Sequence, residues 1–246
     1  MGFMKEIMAE IKGCKLYAKL MGGNCGNPTI IMDAGYGDYS KAWDPVLEEL
    51  SMLSRVFTYD RAGLGKSERS NSPRTSREMV KELKQLLTVT AIAPPYLLVG
   101  HSFGGGNMRM YATEFPDEVC GLVLVDSTPE EYRERFLPSM PEDFQEAYNK
   151  QFVREGNYDE FMESLQQLKD TRRRLNVPLI VLSAGKKAHY SAESQALWND
   201  MQRELLEISS QGEMVIAENS AHYIQRDEPE VIVNAVRKLI DLQCCG

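Results

Sequence analysis

The sequence predicts a mostly parallel α/β sheet with helices packed on both faces, on three observations. Short, wholly apolar runs such as Thr29-Ile30-Ile31-Met32 and Gly121-Leu122-Val123-Leu124-Val125 have the character of strands buried on both faces. Between such runs, apolar residues recur at helical spacing, so strands and helices alternate as parallel sheets require. The third observation is Leu97-Leu98-Val99-Gly100-His101-Ser102-Phe103-Gly104-Gly105-Gly106. It reads as a buried strand that ends abruptly at a serine and turns into a helix on glycines. Gly100-x-Ser102-x-Gly104 is the pattern of a sharp strand-to-helix turn that presents a serine hydroxyl. A β-carbon at position 100 or 104 would collide with the neighbouring strand or helix.

At 246 residues, 43% hydrophobic and 26% charged, the chain is long enough to bury a large core. It reads as one soluble domain with room for a modest insertion. The balance of 28 basic against 36 acidic residues gives a net charge of −8, which argues against nucleic acid or an anionic membrane as partner. No apolar run reaches the length of a membrane span, and Met1–Gly13 lacks the apolar core of a signal peptide. Cys14, Cys25, Cys120, Cys244 and Cys245 form no C-x-x-C and leave one unpaired in any disulfide scheme. They read as reduced thiols of a cytoplasmic protein. Cys244-Cys245-Gly246 fits no C-a-a-X pattern and reads as an inert tail.

In chain order, Lys15–Met21 has the pattern of an edge strand, followed by a glycine- and asparagine-rich turn from Gly22 to Pro28. Thr29–Met32 is a buried strand that runs into the loop Asp33-Ala34-Gly35-Tyr36-Gly37-Asp38. Trp43, Val46, Leu47 and Leu50 then give one apolar helix face. Val56–Tyr59 is the next strand. The loop after it, Asp60-Arg61-Ala62-Gly63-Leu64-Gly65-Lys66-Ser67, superficially resembles a phosphate cradle but does not have the Walker spacing.

Thr75-x-x-Glu78 predicts a capping box opening a helix with Met79, Val80, Leu83, Leu86 and Leu87 on its apolar face. After the serine turn and its helix, Phe115-Pro116 predicts a helix stop, and Gly121–Asp126 a buried strand ending on a carboxylate. From Ser127 to Asn176 the texture is charged, helical in period and rich in aromatics, among them Tyr132, Phe136, Phe144, Tyr148, Phe152, Tyr158 and Phe161. Pro178–Ala184 restores the buried-strand pattern. A helix follows through Leu197, Met201, Leu205 and Ile208, then a strand at Met214–Ala217. The last helix is expected near Asp227, with Pro229 in its first turn. Residues 127–176 therefore read as a helical lid inserted into a core made of 1–126 and 177–246.

A serine hydroxyl is a poor nucleophile at neutral pH, so a site built on Ser102 needs a base and a carboxylate to orient that base. The chain has three histidines. His101 adjoins the serine with its side chain on the other side of the strand, which makes it structural. His189 sits in a polar, solvent-facing segment. His222 lies in the loop after the last strand, at the carboxyl end of the sheet, where open α/β sheets place their ligands.

Gly100-His101-Ser102-Phe103-Gly104-Gly105, Tyr59-Asp60-Arg61-Ala62-Gly63-Leu64-Gly65-Lys66-Ser67, and Ser220-Ala221-His222-Tyr223-Ile224 with Glu228-Pro229 together resemble the α/β-hydrolase superfamily, in order from about Tyr17 to the final helix. The resemblance is to the serine-nucleophile, esterase-like branch. It implies an eight-stranded, mostly parallel sheet with the nucleophile after the fifth strand and a short lid after the sixth. It makes His222 the general base, in the chain order serine, acid, histidine. The commoner pattern puts an aspartate after the strand ending at Ala184, but Gly185-Lys186-Lys187-Ala188-His189 offers none. A minority of the superfamily uses a carboxylate one strand earlier, where this chain has Asp126; Glu193 and Asp200 are the alternatives. The resemblance also implies an oxyanion hole from the backbone N–H groups of Phe103 and Tyr36, with Ala34-Gly35-Tyr36 where many relatives carry His-Gly-aromatic. Gly35 would permit close approach, and Gly35 and Tyr223 would border the substrate.

The expected chemistry is acyl transfer on a small-molecule acyl substrate, needing no metal or organic cofactor. A serine at the turn argues against the dehalogenase and epoxide-hydrolase branches, which use aspartate there. Hydrolysis of a carboxylic ester leads; an acyltransferase, thioesterase, perhydrolase or carbon–carbon bond hydrolase fits the same residues. A slow-turnover small-molecule receptor of this fold is the reading from another class. The aromatics of 127–176, with Met140, Met162, Leu165 and Leu168, either line an apolar acyl pocket or form buried helix faces. Arg172-Arg173-Arg174 reads as a solvated face.

Overall fold

The computed structural model describes residues 3–23 and 26–244; Cys25 and Cys245-Gly246 lie outside the described residues. Eight strands form one sheet in the order β1 (Met4–Ile11), β2 (Cys14–Met21), β4 (Val56–Tyr59), β3 (Thr29–Asp33), β5 (Tyr96–His101), β6 (Val119–Val125), β7 (Leu175–Ala184) and β8 (Ser209–Ala217). The β1–β2 and β2–β4 pairs are antiparallel and every other pair is parallel. β2, expected at the sheet edge, is internal. The edge belongs to β1, which carries Lys5, Glu6 and Glu10 and buries only Ala9 and Ile11. Its core face is short, Ile7, Ala9 and Ile11, and the exposed Met4 and Met8 on the other face blur the alternation in the sequence.

Alternate side chains divide the core into two layers, as the pleat demands. On one face, Val46, Leu47 and Leu50 of α1 (Asp44–Leu53) and Ile232, Val236 and Leu239 of α8 (Pro229–Cys244) pack on Leu97, Val99, Val123 and Val125. On the other, α2 (Ser76–Val89) and α3 (Phe103–Glu114) pack Val80, Leu83, Met108 and Tyr111 on Leu98, Leu122 and Leu124.

The connection from β6 to β7 holds a π-helical turn at Tyr132–Phe136, α4 (Glu142–Lys150) and α5 (Tyr158–Asp170). Its aromatics split between two clusters. Tyr132 and Phe136 pack with Trp198 and Met201 of α6 (Ala192–Glu204), while Phe152 and Phe161 pack with Phe103 and Met79. Between β8 and α8 lies one short helix, α7 (Ile224–Asp227). Among the described residues no helix is long and apolar enough to cross a membrane.

The capping box expected at Thr75 and Glu78 does not form. Thr75 makes no side-chain cap bond, and Glu78 instead pairs with Lys12 and Lys81. Side chains of α5 take over the amide groups at the start of α2. Ser164 Oγ accepts from Ser76 N and Gln167 Oε1 from Arg77 N, each at 2.9 Å. Ser76 is fully buried under α5, so a tertiary partner satisfies its N–H where solvent cannot. The reciprocal box forms on α5 itself, between Asn157 and Glu160. Replacing Ser164 with alanine strands the buried Ser76 amide. Urea unfolding of Ser164→Ala should show a loss of about 1–3 kcal/mol; an unchanged midpoint would mean this N–H finds another partner.

Candidate active site

The strand-to-helix turn after β5 holds Ser102 at φ 53°, ψ −120°, a left-handed conformation costly for a non-glycine residue. Close packing enforces it. A β-carbon on Gly104 would lie 2.4 Å from Ala34 O, and one on Gly100 2.5 Å from Gly105 Cα. Only glycines let β5, α3 and the β3 loop approach this closely. Ser102 N donates to Val125 O at 3.0 Å, tying the turn to β6. Phe103 is the first residue of α3, so its N–H has no acceptor within the helix, and the positive end of the helix dipole lies there. Tyr36 and Phe103 border the same cavity as Ser102.

Asp126 follows β6 at φ 44° and is completely buried. Its Oδ2 accepts from His222 Nδ1 at 2.6 Å. Oδ1 accepts from Trp198 Nε1 at 2.7 Å and Ala184 N at 3.0 Å. Burial alone would raise this carboxyl, but the Lys187 ammonium and the His222 hydrogen bond outweigh it and hold Asp126 well below the usual carboxylate range. The carboxylate is therefore ionised and aimed at the ring. Glu193 and Asp200 sit exposed on α6, with Asp200 paired to Arg203, away from this pair.

His101 is structural in the expected sense. Its Nε2 donates to the carbonyl oxygen of His222 at 2.9 Å, which fixes the loop that carries the imidazole. Burial, then the neighbouring His222, pushes the His101 ring down to about 3, so it is neutral. His222 faces the cavity with its side chain 38% exposed. The hydrogen-bond contact of Ser102 Oγ is Thr128 Oγ1 at 3.4 Å; among the described residues none joins it to His222 in this state. Such bonds commonly tighten only with substrate in place.

Arg61 holds the loop opposite. Its guanidinium pairs with Asp33 and with Glu155 of the β6–β7 connection, all three fully or almost fully buried. It also donates to Ala34 O and Gly35 O, each at 2.7 Å, while Glu155 Oε2 accepts from Gly37 N at 3.1 Å. Tyr36 Oη accepts from Gly156 N at 3.0 Å. Burial by itself would lower Arg61, but Asp33 and Glu155 dominate and keep it charged. Two carboxylates share one cation, and burial raises the Asp33 carboxyl accordingly. The loop motif around Arg61 is visible in the sequence; Glu155 and Lys187 carry no signal there and go unread. The same loop is no phosphate cradle, because Asp60 already accepts from Ser40 N at 2.9 Å and Lys66 N at 2.8 Å.

A cavity of about 400 Å³ opens over Ser102 and His222, walled by Tyr132, Phe144, Tyr148, Phe161, Tyr190 and Trp198. The aromatics of 127–176 therefore serve both ways: Tyr132, Phe144, Tyr148 and Phe161 line the space, whereas Phe136 and Phe152 are packing. His189, expected in solvent, is exposed at the cavity rim. Two expectations need correction. Gly35 and Tyr223 do not line the cavity. The Gly35 backbone lies behind Ser102 and His101, held by Arg61. The Tyr223 hydroxyl turns away to donate to Asp38 Oδ2 at 3.1 Å. Arg172 pairs with Glu207 at the surface, and the arginine run is exposed as expected.

A family model described as alpha/beta hydrolase fold matches residues 28–204. The uncharacterized protein YqjL of Bacillus subtilis is 35% identical over 227 residues, covering 92% of this chain and 88% of its own. The Cif epoxide hydrolase from Acinetobacter nosocomialis superposes with a TM-score of 0.75 over 96% of this chain and 89% of its own, at 16% identity. Mouse alpha/beta hydrolase domain-containing protein 10 superposes with a TM-score of 0.72 over 97% of this chain and 99% of its own, at 18% identity. At such identities the structural likeness shows the fold alone.

Removing the cation between Asp33 and Glu155 leaves two buried carboxylates facing each other. Arg61→Met should therefore lose about 3–5 kcal/mol in denaturant unfolding. A loss under about 1 kcal/mol, the range of an exposed pair, would show that the cluster does not organise the loop.

Proposed function

This chain belongs to the alpha/beta hydrolase fold family, and on that premise we propose that it is a serine hydrolase cleaving a carboxylic ester, or a related acyl compound, through an acyl-enzyme intermediate. One observation carries the reading. A buried, ionised Asp126 binds His222 Nδ1 at 2.6 Å beside a cavity that also receives the strained Ser102. With Nδ1 donating to the carboxylate, the other ring nitrogen is left as an acceptor, the tautomer a general base requires.

His222 takes the Ser102 proton as Oγ attacks the substrate carbonyl carbon. The resulting oxyanion is received by the N–H groups of Phe103 and Tyr36, the former reinforced by the α3 dipole. Collapse breaks the ester bond, and His222 returns the proton to the leaving alkoxide. Water, deprotonated by the same imidazole, then attacks the acyl carbon; the carboxylic acid leaves and Ser102 regains its proton. The aromatic walls suit a small acyl substrate of low polarity. Residues 127–176 form the lid in this reading, over a core of 1–126 and 177–246, and the fixed Arg61–Glu155 contact keeps the Tyr36 amide in place beneath it.

Hydrolysis of p-nitrophenyl esters of increasing acyl length tests this. Wild type should turn over with an optimum chain length set by the cavity, and Ser102→Ala and Asp126→Asn should each lose about 10⁴-fold in kcat. Ser102→Ala retaining wild-type turnover would sink the nucleophile assignment. Asp126→Asn doing so would sink the acid. A wild type silent on every ester would favour the receptor or a non-ester substrate.

A further inference from the structure

Asp126 has a second neighbour, the Lys187 ammonium, at the oxygen it offers to His222. Oδ2 lies 2.6 Å from His222 Nδ1 and 2.7 Å from Lys187 Nζ. The ammonium lies within ion-pair distance of the same carboxylate oxygen. Lys187 stands in the turn after β7, in the stretch where the commoner family pattern carries the acid itself. Its side chain is 7% exposed, with Nζ 3.5 Å from the ring centre of Trp198 and 4.9 Å from that of Tyr190. An ammonium withdrawn from water onto ring faces keeps its charge only with an anion beside it.

We propose that Lys187 is a positioning residue for the base: by competing with His222 for Asp126 Oδ2, it sets how far into acid solution the imidazole still accepts the Ser102 proton. The inference rests on the Ser102–His222–Asp126 reading above. In a triad with a lone carboxylate, the full negative charge favours the protonated ring. Here a fixed cation on the same oxygen offsets that charge and repels the imidazolium, so less acid-side activity is lost.

The other groups facing Lys187 do not neutralise it. His101 of β5 is uncharged, pushed down to about 3 by burial and the neighbouring His222. Tyr132 of the β6–β7 connection and Tyr190 of Lys187's own loop have phenols raised by burial, so they remain protonated. Trp198 of α6 presents only its ring, and His189 stands at the exposed rim. Burial lowers Lys187 itself to about 8, against the pull of Asp126, so the cation persists through neutral pH.

The test uses a fluorophosphonate, which bonds its phosphorus to Ser102 Oγ as fluoride leaves and the serine proton passes to His222. The labelling rate of the intact protein is followed from about pH 5 to about pH 9, across the ordinary range of histidine. In Lys187→Met and Lys187→Gln the acid limb should move to higher pH by about one unit, so that labelling on the limb falls about tenfold relative to the plateau. Lys187→Arg should keep the wild-type limb. These neutral variants differ in shape, so a folding defect in one leaves the other to be read, with near-UV circular dichroism as the check. Labelling whose limb stays put or moves to lower pH in the neutral variants overturns the proposal alone, as does a lowered plateau with an unmoved limb. A wild type that does not label at Ser102 overturns the triad reading and this proposal with it.

Discussion

The structure hangs on one buried cation. Arg61, from the loop after β4, reaches under the sheet's carboxyl edge and binds the end of β3 through Asp33, the following loop through two carbonyls, and the β6–β7 connection through Glu155. The β3 end with its loop, the loop of Arg61 and the β6–β7 connection are far apart in sequence, and no apolar contact by itself would fix their relative positions to within a hydrogen bond. Taking a guanidinium and two carboxylates out of water is costly, and the arrangement survives because almost every donor is matched. Its effect is to make the loop bearing Tyr36 a rigid object facing Ser102.

The opposite wall is set by strain and close approach. Ser102 and Asp126 both adopt positive φ at the ends of adjacent strands, and each backbone N–H is anchored to the next strand over, to Val125 O and Leu182 O. Glycines at 100 and 104 let α3 and the β3 loop press against the turn. A non-glycine residue in the left-handed region persists only where its surroundings over-determine it. Here they do so at two of the three residues assigned to the proposed triad, so the backbone that carries them is fixed before any substrate arrives.

How much of this was legible depends on the range over which each feature is decided. The strands β3 to β7 and the serine turn were readable because full burial writes a continuous apolar run into a few adjacent residues. The choice of Asp126 over Glu193 and Asp200 came from the family resemblance, which allows the acid one strand earlier, and the structure puts that carboxylate against His222. β1 was missed because exposed Met4 and Met8 put apolar residues on its solvent face too, which blurs the alternation of Ile7, Ala9 and Ile11. The box at Thr75 was misread because the pattern is local while the competition for the Ser76 amide is not: a serine from α5, 88 residues downstream, takes it.

The sequence by itself determined the alternation of strands and helices and the sharp turn at Ser102, and its resemblance to a known family implied that a late histidine pairs with a carboxylate one strand after that turn. Those follow from periodicity, from glycine spacing and from the resemblance of ordered motifs, all carried by neighbouring residues. Tertiary structure alone decided that Glu155 reaches Arg61, that Lys187 stands on Asp126, that Tyr223 turns toward Asp38, and which aromatics wall the cavity. Each of these is a choice among polar or aromatic partners brought together by folding. Burial supplies the reason: once water is excluded, a charged or polar group must take whichever partner the packing brings within reach, and no local pattern encodes which one that is.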